Sequence, residues 1–256
     1  MAHGSLLRLE ALSKSFGGLR AVSDLSFDVK AGTITSLIGG NGAGKTTAFN
    51  LITGNLAPDA GHIYFRDARV DGLPPHKVAR AGIARGFQEL RLFNRLSARD
   101  NIETAIPGQR GESIVRSLLG GRSLRQERDA TSARSRALLK ELTIEAQAGE
   151  LAERLSYGQQ KLLGLGRLLA AQGELLLLDE PTAGLSPAMI EDFCARMRGL
   201  TQSGKTILLI EHNVEIVMRL SDWVVVMHQG GKIAEGRPAA VRNNVTVMHT
   251  YLGITS

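Results

Sequence analysis

The sequence is poor in the features that hold small secreted domains together or anchor a chain in a membrane. Its 256 residues include one cysteine, Cys194, which excludes an internal disulfide framework and fits a reducing compartment. The longest apolar runs, Leu175 to Leu178 and Trp223 to Met227, fall far short of the ~20 residues of a spanning helix. Arg8 and Glu10 interrupt the first apolar stretch, so a secretory signal is not expected. We therefore expect a chain that stays in the cytosol and crosses no bilayer by itself.

Aromatic residues are also scarce, at 4% of the chain, whereas basic residues are in excess, with a net charge of +6. Most of this excess lies in residues 85–136, where there are eleven arginines and six acids. Phe87 and Phe93 are the only aromatics there, so the stretch lacks the base-stacking platform that binds nucleic acid. Two interpretations remain for the charge, a solvated helical face or a contact with a protein or lipid surface.

Hydrophobic periodicity predicts an α/β chain with a helical insertion. Alternating apolar residues over 21–29 predict a small antiparallel element, followed by a buried strand from Ile34 to Ile38. Later strand and helix segments alternate, which is typical of a mainly parallel sheet with flanking helices. Residues 90–155 are rich in Arg, Ser and Leu, and we interpret them as an inserted helical subdomain within one domain of residues 1–256. The core is then formed by residues 5–89 together with 156–256.

A phosphate-binding loop is predicted between the first buried strand and the following helix. The motif G-x-x-x-x-G-K-[ST] is matched by the consecutive residues Gly39, Gly40, Asn41, Gly42, Ala43, Gly44, Lys45 and Thr46. In such a loop the backbone N–H groups and the helix N-terminus surround the phosphates, and the lysine reaches the β and γ phosphates. The Thr46 hydroxyl is placed to bind Mg²⁺. We predict nucleotide binding by this loop together with Thr47.

Two acids follow the leucine run at 175–178, namely Asp179 and Glu180. Packing gives no reason for two carboxylates at the end of a buried strand. Asp179 is placed to hold the Mg²⁺ shell, as in other NTPases with this loop. Glu180 is placed to accept a proton from attacking water, an effect of about 10² to 10⁴ in rate. The alternative is a pair of acids on a loop without a role in catalysis.

Residues 155–160 read LSYGQQ and precede an apolar helix face. By themselves they predict a helix start, because Ser156 and Gln159 form a capping box. Combined with the phosphate loop and the Asp179-Glu180 pair, however, they resemble the ATP-binding subunit of ABC transporters, whose signature reads LSGGQ. The phosphate-binding loop and this acid pair are the family's Walker A and Walker B motifs. The chain is most similar to the branched-chain amino-acid importer type, on the segments LSYGQQ, ARGFQ with RLF, EPTAGLSP and IEHN.

The resemblance implies roles for residues that composition and periodicity leave unassigned. Gln88 matches the Q-loop, which in the family links Mg²⁺ and the attacking water to the membrane subunit. His212 matches the H-loop, whose imidazole contacts the γ-phosphate. Phe16 matches the aromatic residue that stacks on adenine, with a core phenylalanine in an antiparallel edge as the alternative.

The resemblance also implies that the site is shared between two subunits. In the family, the signature residues of one subunit, here Ser156, Gly158 and Gln159, cap the γ-phosphate held by the lysine of the other. Two departures from the family pattern bear on this expectation. Gly40 replaces a proline common in the loop, which predicts somewhat weaker ATP binding, and Ser186 stands where many members carry the aspartate that crosses the dimer.

The function implied is that of an ATPase powering import of amino acids, or of a related small polar solute, from the cytoplasmic face of the membrane. The partners implied are a second ATP-binding subunit, transmembrane permease subunits and an external solute-binding protein, without nucleic acid. The cofactors are ATP and Mg²⁺. The alternatives are the ATPase of an ABC exporter or a soluble ABC ATPase acting on the ribosome or DNA.

Overall fold

Ten strands in two sheets and eight α-helices are found in the part of the chain that the structure describes. The structure is a computed structural model, and it describes residues 4–86, 90, 92–108, 121–244 and 246–247. The strands are β1 (Ser5–Phe16), β2 (Leu19–Lys30), β3 (Ile34–Ile38), β4 (Ala60–Phe65), β5 (Ala68–Arg69), β6 (Ile83–Gly86), β7 (Leu175–Asp179), β8 (Thr206–Ile210), β9 (Trp223–His228) and β10 (Gly231–Gly236). The helices are α1 (Lys45–Ile52), α2 (Pro75–Ala81), α3 (Ala98–Glu103), α4 (Gly121–Glu141), α5 (Tyr157–Ala170), α6 (Pro187–Gln202), α7 (Val214–Leu220) and α8 (Pro238–Arg242).

The first sheet is antiparallel, in the order β2-β1-β4-β5. Its long hairpin of β1 and β2 turns at Gly17 and Gly18, whose φ angles of 51° and 86° suit glycine. Phe16 and Leu19 are paired at the tip of the hairpin. The inward positions of both strands are apolar and buried, as the alternation in the sequence predicts.

The second sheet is mainly parallel, in the order β10-β9-β3-β8-β7-β6, with an antiparallel hairpin of β9 and β10. Every residue of β3, β7 and β8 is buried, which is why these strands are mostly apolar without alternation, with Thr35, Ser36, Asp179 and Thr206 as the buried polar exceptions. Ile210 is in register with Leu37 on one side and with Asp179 on the other. The carboxyl ends of these three strands therefore lie side by side, where open α/β sheets place their ligands.

The chain divides into two compact units. One consists of residues up to 85 and from 173 onward, and the other of residues 86–172. The sequence assigned α5 to the core by starting the second core segment at 156, whereas the structure groups it with the inserted segment. The reason is close packing inside this unit, because a Cβ built on Gly166 of α5 would lie 2.8 Å from Leu142 and 2.9 Å from Ile102.

The elements agree with the predicted α/β class and its N-terminal antiparallel sheet. Residues 109–120 of the predicted helical insertion lie outside the described residues, so a helical structure there stays a prediction. Among the residues that the structure describes, none of the helices has the length and apolar character needed to cross a membrane.

Candidate functional site

The loop between β3 and α1 is held against neighbouring backbone so closely that it admits glycine alone at two positions. A Cβ on Gly44 would lie 2.2 Å from the carbonyl oxygen of Ala21, and its φ is 97°. A Cβ on Gly39 would lie 2.3 Å from the carbonyl oxygen of Met227. The glycines of the motif therefore also allow the loop to pack on β2 and β9, which fixes its position relative to the sheet.

Lys45 begins α1 and is buried, with 6% of its surface exposed. Its Nζ donates hydrogen bonds to the carbonyl oxygens of Gly39 at 2.8 Å and Gly40 at 2.9 Å. Burial lowers the pKa of the ammonium group, and the carboxylates of Glu180 and Asp179 oppose that shift. The ammonium group thus lies inside the loop, where it interacts electrostatically with the two acids at the end of β7, Asp179 and Glu180.

The backbone N–H groups at the N-terminus of α1 are available to a ligand bound in the loop. Within the described part of the chain, no side chain caps this helix, and its first turn carries no acid. The aligned peptide dipoles add about half a positive charge at this end. Asn41, Gly42 and Thr46 are exposed, Thr47 is half-buried and Ala43 is buried. The arrangement is that of an anion site suited to phosphate groups.

Asp179 ends β7 with only 2% of its side chain exposed. Burial raises the pKa of its carboxyl group, and the nearby guanidinium of Arg85 opposes that shift. Arg85 donates to Asp179 Oδ2 at 3.1 Å and to Asn50 Oδ1 at 2.5 Å, and it lies 5.7 Å from the ring centre of Phe49. Arg85 therefore connects strand β6 to both the acid of β7 and the helix of the phosphate loop.

The donor set fits a hard divalent cation. The Thr46 hydroxyl and the Asp179 carboxylate supply oxygen ligands, which Mg²⁺ prefers, and Mg²⁺ is usually held by one or two carboxylates plus substrate phosphates. Gln88, the third predicted ligand, lies outside the described residues. Its roles at the metal and in catalysis stay predictions.

Glu180 and His212 form the most direct contact among the predicted catalytic residues. Glu180 Oε1 lies 2.7 Å from His212 Nε2, and the two side chains are 43% and 38% exposed. The backbone of Glu180 is left-handed, with φ at 49°, and its N–H donates to the carbonyl oxygen of Ile210 at 2.9 Å. A non-glycine residue in this region is strained, and such strain is common at functional sites. The pair is thus built from the ends of two adjacent parallel strands.

Phe16 lies at the tip of the first hairpin and is 45% exposed, so it is not a core residue. The same hairpin reaches the phosphate loop through the carbonyl oxygen of Ala21. Lys14 Nζ lies 5.7 Å from the ring centre of Phe16. The exposed ring is thus available for stacking, which is compatible with the predicted contact to adenine.

The signature segment starts α5 with a complete capping box. Gln159 N–H donates to Ser156 Oγ at 3.3 Å, and Ser156 N–H donates to Gln159 Oε1 at 2.9 Å. Tyr157 is 49% exposed, and Gly158 is partly exposed. The structural role predicted from the motif is confirmed, whereas the predicted contact with a partner's phosphate stays a prediction. Ser186 is the N-cap residue of α6.

Two residues of the site were not assigned a role from the sequence. In the sequence, Arg85 was recognisable only as a charged residue three positions before Gln88. Glu211 was part of the IEHN segment, yet it is a buried carboxylate, with 4% of its surface exposed, next to His212. Sequence periodicity places Glu211 directly after a predicted strand, but it does not show which residues Arg85 and Glu211 contact.

Comparison with known proteins agrees with this geometry. The family model described as "ABC transporter" matches residues 22–183. The chain is 38% identical over 251 residues to the "High-affinity branched-chain amino acid transport ATP-binding protein LivG" of Escherichia coli K12, covering 97% of this chain and 98% of that protein. It is 36% identical over 249 residues to the corresponding BraF protein of Pseudomonas aeruginosa, again over 97% and 98% of the two chains.

A solved structure extends the likeness to three dimensions. The ADP conformation of an ATP-binding cassette of an ABC transporter superposes with a TM-score of 0.83 at 32% identity, over 98% of this chain and all of that one. The predicted fold class is therefore confirmed, as is the predicted resemblance to ATP-binding subunits. By family model, by full-length similarity and by fold, the chain belongs to the ABC transporter family, as one of its nucleotide-binding ATPase cassettes.

Proposed function

We propose that this chain is the ATP-binding and ATP-hydrolysing subunit of an importer for branched-chain amino acids or a related small polar solute. The names of the LivG and BraF proteins, which it matches over nearly their full length, support this substrate class. The chain acts at the cytoplasmic face of the cell membrane, held there by transmembrane permease subunits. A second ATP-binding subunit and an external solute-binding protein complete the assembly.

Binding of ATP follows from the loop at 39–46 and the N-terminus of α1. When ATP binds in the loop, Lys45 Nζ donates its hydrogen bonds to phosphate oxygens instead of to the carbonyl oxygens of Gly39 and Gly40. The phosphate oxygens are the stronger acceptors because they carry full negative charge. Phe16 stacks on the adenine ring, and Thr46 with Asp179 holds Mg²⁺. When bound, Mg²⁺ neutralises charge that builds up on the phosphates during transfer.

Hydrolysis depends on the pair of Glu180 and His212, and their 2.7 Å contact is the observation that carries this proposal. Glu180 accepts a proton from the attacking water while the water oxygen bonds to the γ-phosphorus and ADP leaves. His212 Nε2 contacts the Glu180 carboxylate and so helps to position it for that water, and the predicted contact of the imidazole with the γ-phosphate is part of this proposal. Glu180 has a left-handed backbone, and its half-exposed side chain is accessible to solvent.

The site is completed by a second subunit. The signature residues Ser156 and Gly158 of one chain face the γ-phosphate bound by Lys45 of the other. Two ATP molecules then stabilise the closed pair, and hydrolysis allows it to open. Because ATP binds the closed pair better than the open one, its differential affinity drives the permease between its states.

The hydrolysis step is tested by Glu180→Gln, which removes the proton acceptor while keeping the size of the side chain. We expect ATPase activity to fall at least about 100-fold while ATP still binds, measured by phosphate release and by fluorescent-nucleotide titration. Glu215→Gln is the matched control, since Glu215 is exposed in the first turn of α7. Unchanged turnover in Glu180→Gln would remove this residue from the proposed mechanism.

The transport step is tested in vesicles that contain the chain and its permease subunits. We expect ATP-dependent uptake of leucine, isoleucine or valine that is lost in Glu180→Gln. Recovery of the chain with ribosomes or DNA, with no uptake in the vesicles, would contradict the proposal and favour a soluble ATPase.

A further inference from the structure

Glu211 is a buried carboxylate that neither the nucleotide loop nor the proposed hydrolysis uses. It follows the last residue of β8, and 4% of its surface is exposed. Among the described residues it forms no ion pair with a lysine, arginine or histidine side chain. A buried charge is costly unless hydrogen bonds compensate for the lost water. The donors around Glu211 must therefore account for its presence.

Those donors come from two loops, one for each oxygen. Oε1 accepts from Thr182 N–H at 3.1 Å and from the Thr182 hydroxyl. Oε2 accepts from His212 N–H at 3.0 Å and from Asn213 N–H at 3.4 Å. Glu211 thus bridges the loop that follows β7 to the loop that follows β8.

These are the loops that carry Glu180 and His212. Thr182 lies two residues after Glu180, and the N–H bound by Oε2 belongs to His212 itself. Glu180 Oε1 lies 2.7 Å from His212 Nε2, and a polar contact of this kind weakens steeply as the two atoms separate. A small movement of either loop would separate the pair.

We propose that Glu211 is a positioning residue for ATP hydrolysis, which holds the Glu180 and His212 side chains in contact by binding one loop with each carboxylate oxygen. The inference rests on the proposed function, because it refines the geometry of the same hydrolytic pair. Glu211 does not touch the reacting atoms in this assignment, and it acts through the backbone of the two loops.

The chemistry of the four donors explains why the residue is an acid. A carboxylate presents only acceptors, so both oxygens are satisfied by N–H and O–H groups. A glutamine of the same shape presents an NH₂ group to one of the loops, where it meets donors instead of acceptors. Glu211→Gln therefore preserves volume but disconnects one loop, leaving its buried donors unpaired.

The experiment follows the imidazole of His212 as well as turnover. In Glu211→Gln we expect the turnover number to fall about 10-fold to 100-fold while the affinity for ATP changes less than about twofold. In the purified chain with ¹⁵N-labelled histidine, we expect the His212 ring signals to move towards those of Glu180→Gln. Glu215→Gln, an exposed change four residues away, is expected to alter neither readout.

Thr182 provides a second test at the other end of the bridge. Thr182→Val removes the hydroxyl donor while keeping the shape, and we expect it to lower turnover and shift the His212 signals, whereas Thr182→Ser restores both. The effect of Glu211→Gln is expected to be smaller in the Thr182→Val background, since both changes disturb one network. If Glu211→Gln does not fold, the contrast between the valine and serine variants decides the question.

The inference is overturned if Glu211→Gln lowers only the melting temperature and leaves turnover and the His212 signals unchanged. It is also overturned if Thr182→Val behaves like Thr182→Ser. Failure of the proposed function has a different signature, because Glu180→Gln would then retain turnover whatever Glu211 does. The two failures are therefore distinguishable in one set of variants.

Discussion

Helices α1 and α5 both begin within a motif that contains glycine, yet they begin in opposite ways. Gly44 caps α1 without a side-chain acceptor in the described part of the chain, and its close approach to Ala21 fixes the loop. Ser156 caps α5 through a reciprocal capping box with Gln159. The start of α1 therefore leaves backbone donors for a ligand, whereas the start of α5 satisfies its own. The difference separates a helix N-terminus built to receive phosphate from one that is stable before any partner approaches it.

The largest expected effect comes from adding a side chain at Gly44, where the loop packs closely on Ala21 at the start of α1. In Gly44→Ala the new Cβ would lie 2.2 Å from the Ala21 carbonyl oxygen, at a φ of 97°. We expect the loop to distort and ATP affinity to fall at least about 100-fold, since strain and overlap together cost about 3 kcal/mol. Nucleotide titration measures this. Wild-type affinity in this variant would show that the loop tolerates a side chain and that the close approach does not shape the site.

The next effect separates the two roles of Ser156. Aspartate is a good N-cap, so Ser156→Asp keeps the capping box acceptor but places a negative charge where the partner's phosphate is expected. We expect an unchanged melting temperature and a fall in ATPase activity of about 100-fold. Ser156→Ala is the complementary variant, with a stability loss of about 1 kcal/mol. Full activity in Ser156→Asp would limit this residue to capping.

A third effect concerns how α1 is held to the strand that ends in Asp179. Arg85→Met removes the guanidinium that binds both Asn50 and Asp179. We expect the free energy of unfolding to fall by about 2 to 3 kcal/mol at neutral pH, measured by urea denaturation. Arg198→Met is the control, because its ion pair with Asp222 is exposed and is worth less than about 1 kcal/mol.

The Arg85→Met loss depends on pH in a defined direction. The pKa of Asp179 is already raised by burial, and Arg85 is the largest influence that lowers it, so the variant raises it further. A folded-state pKa above the unfolded value means that stability is lost as pH rises through that range. The stability difference between variant and wild type should therefore grow as the pH rises from the folded-state pKa of Asp179 in the wild type to that in the variant, both of which lie above the ordinary Asp value of about 4, and shrink as the pH falls through this range. The double variant with Asp179→Asn should lose this pH dependence.

The smallest expected effect concerns the loop before α1. A Cβ at Gly40 meets nothing within 4 Å, in contrast to Gly44. Gly40→Ala reduces the freedom of the unbound loop, so we expect ATP to bind about two to five times more tightly. Weaker binding would show that Gly40 needs a conformation that alanine does not adopt.

Motifs made of contiguous residues were readable because their geometry is local. The loop at 39–46 and the capping box at Ser156 need only their own segments and an adjacent strand or helix. The buried strands were predictable for a similar reason, since a parallel strand covered on both faces is mostly apolar along its length. The structure agrees with the predicted bounds of β3.

Contacts between distant segments were not readable from the pattern. Arg85 meets Asp179 across 94 residues of sequence, and Glu211 meets Thr182 across 29. The boundary of the inserted unit was not readable either, because it depends on packing between distant segments. Helix α5 belongs to the unit of residues 86–172 through its close packing at Gly166.

The sequence by itself determined the nucleotide loop, the two acids at the end of β7, the α/β class and the family. Only the tertiary structure decided that Glu180 adopts a left-handed backbone against Ile210 and reaches His212, and that Glu211 joins the loops carrying both. The physical reason is the register of the parallel strands, which pairs Asp179 with Ile210. The type of each side chain sets the chemistry available at its position, whereas the strand register decides which side chains come into contact.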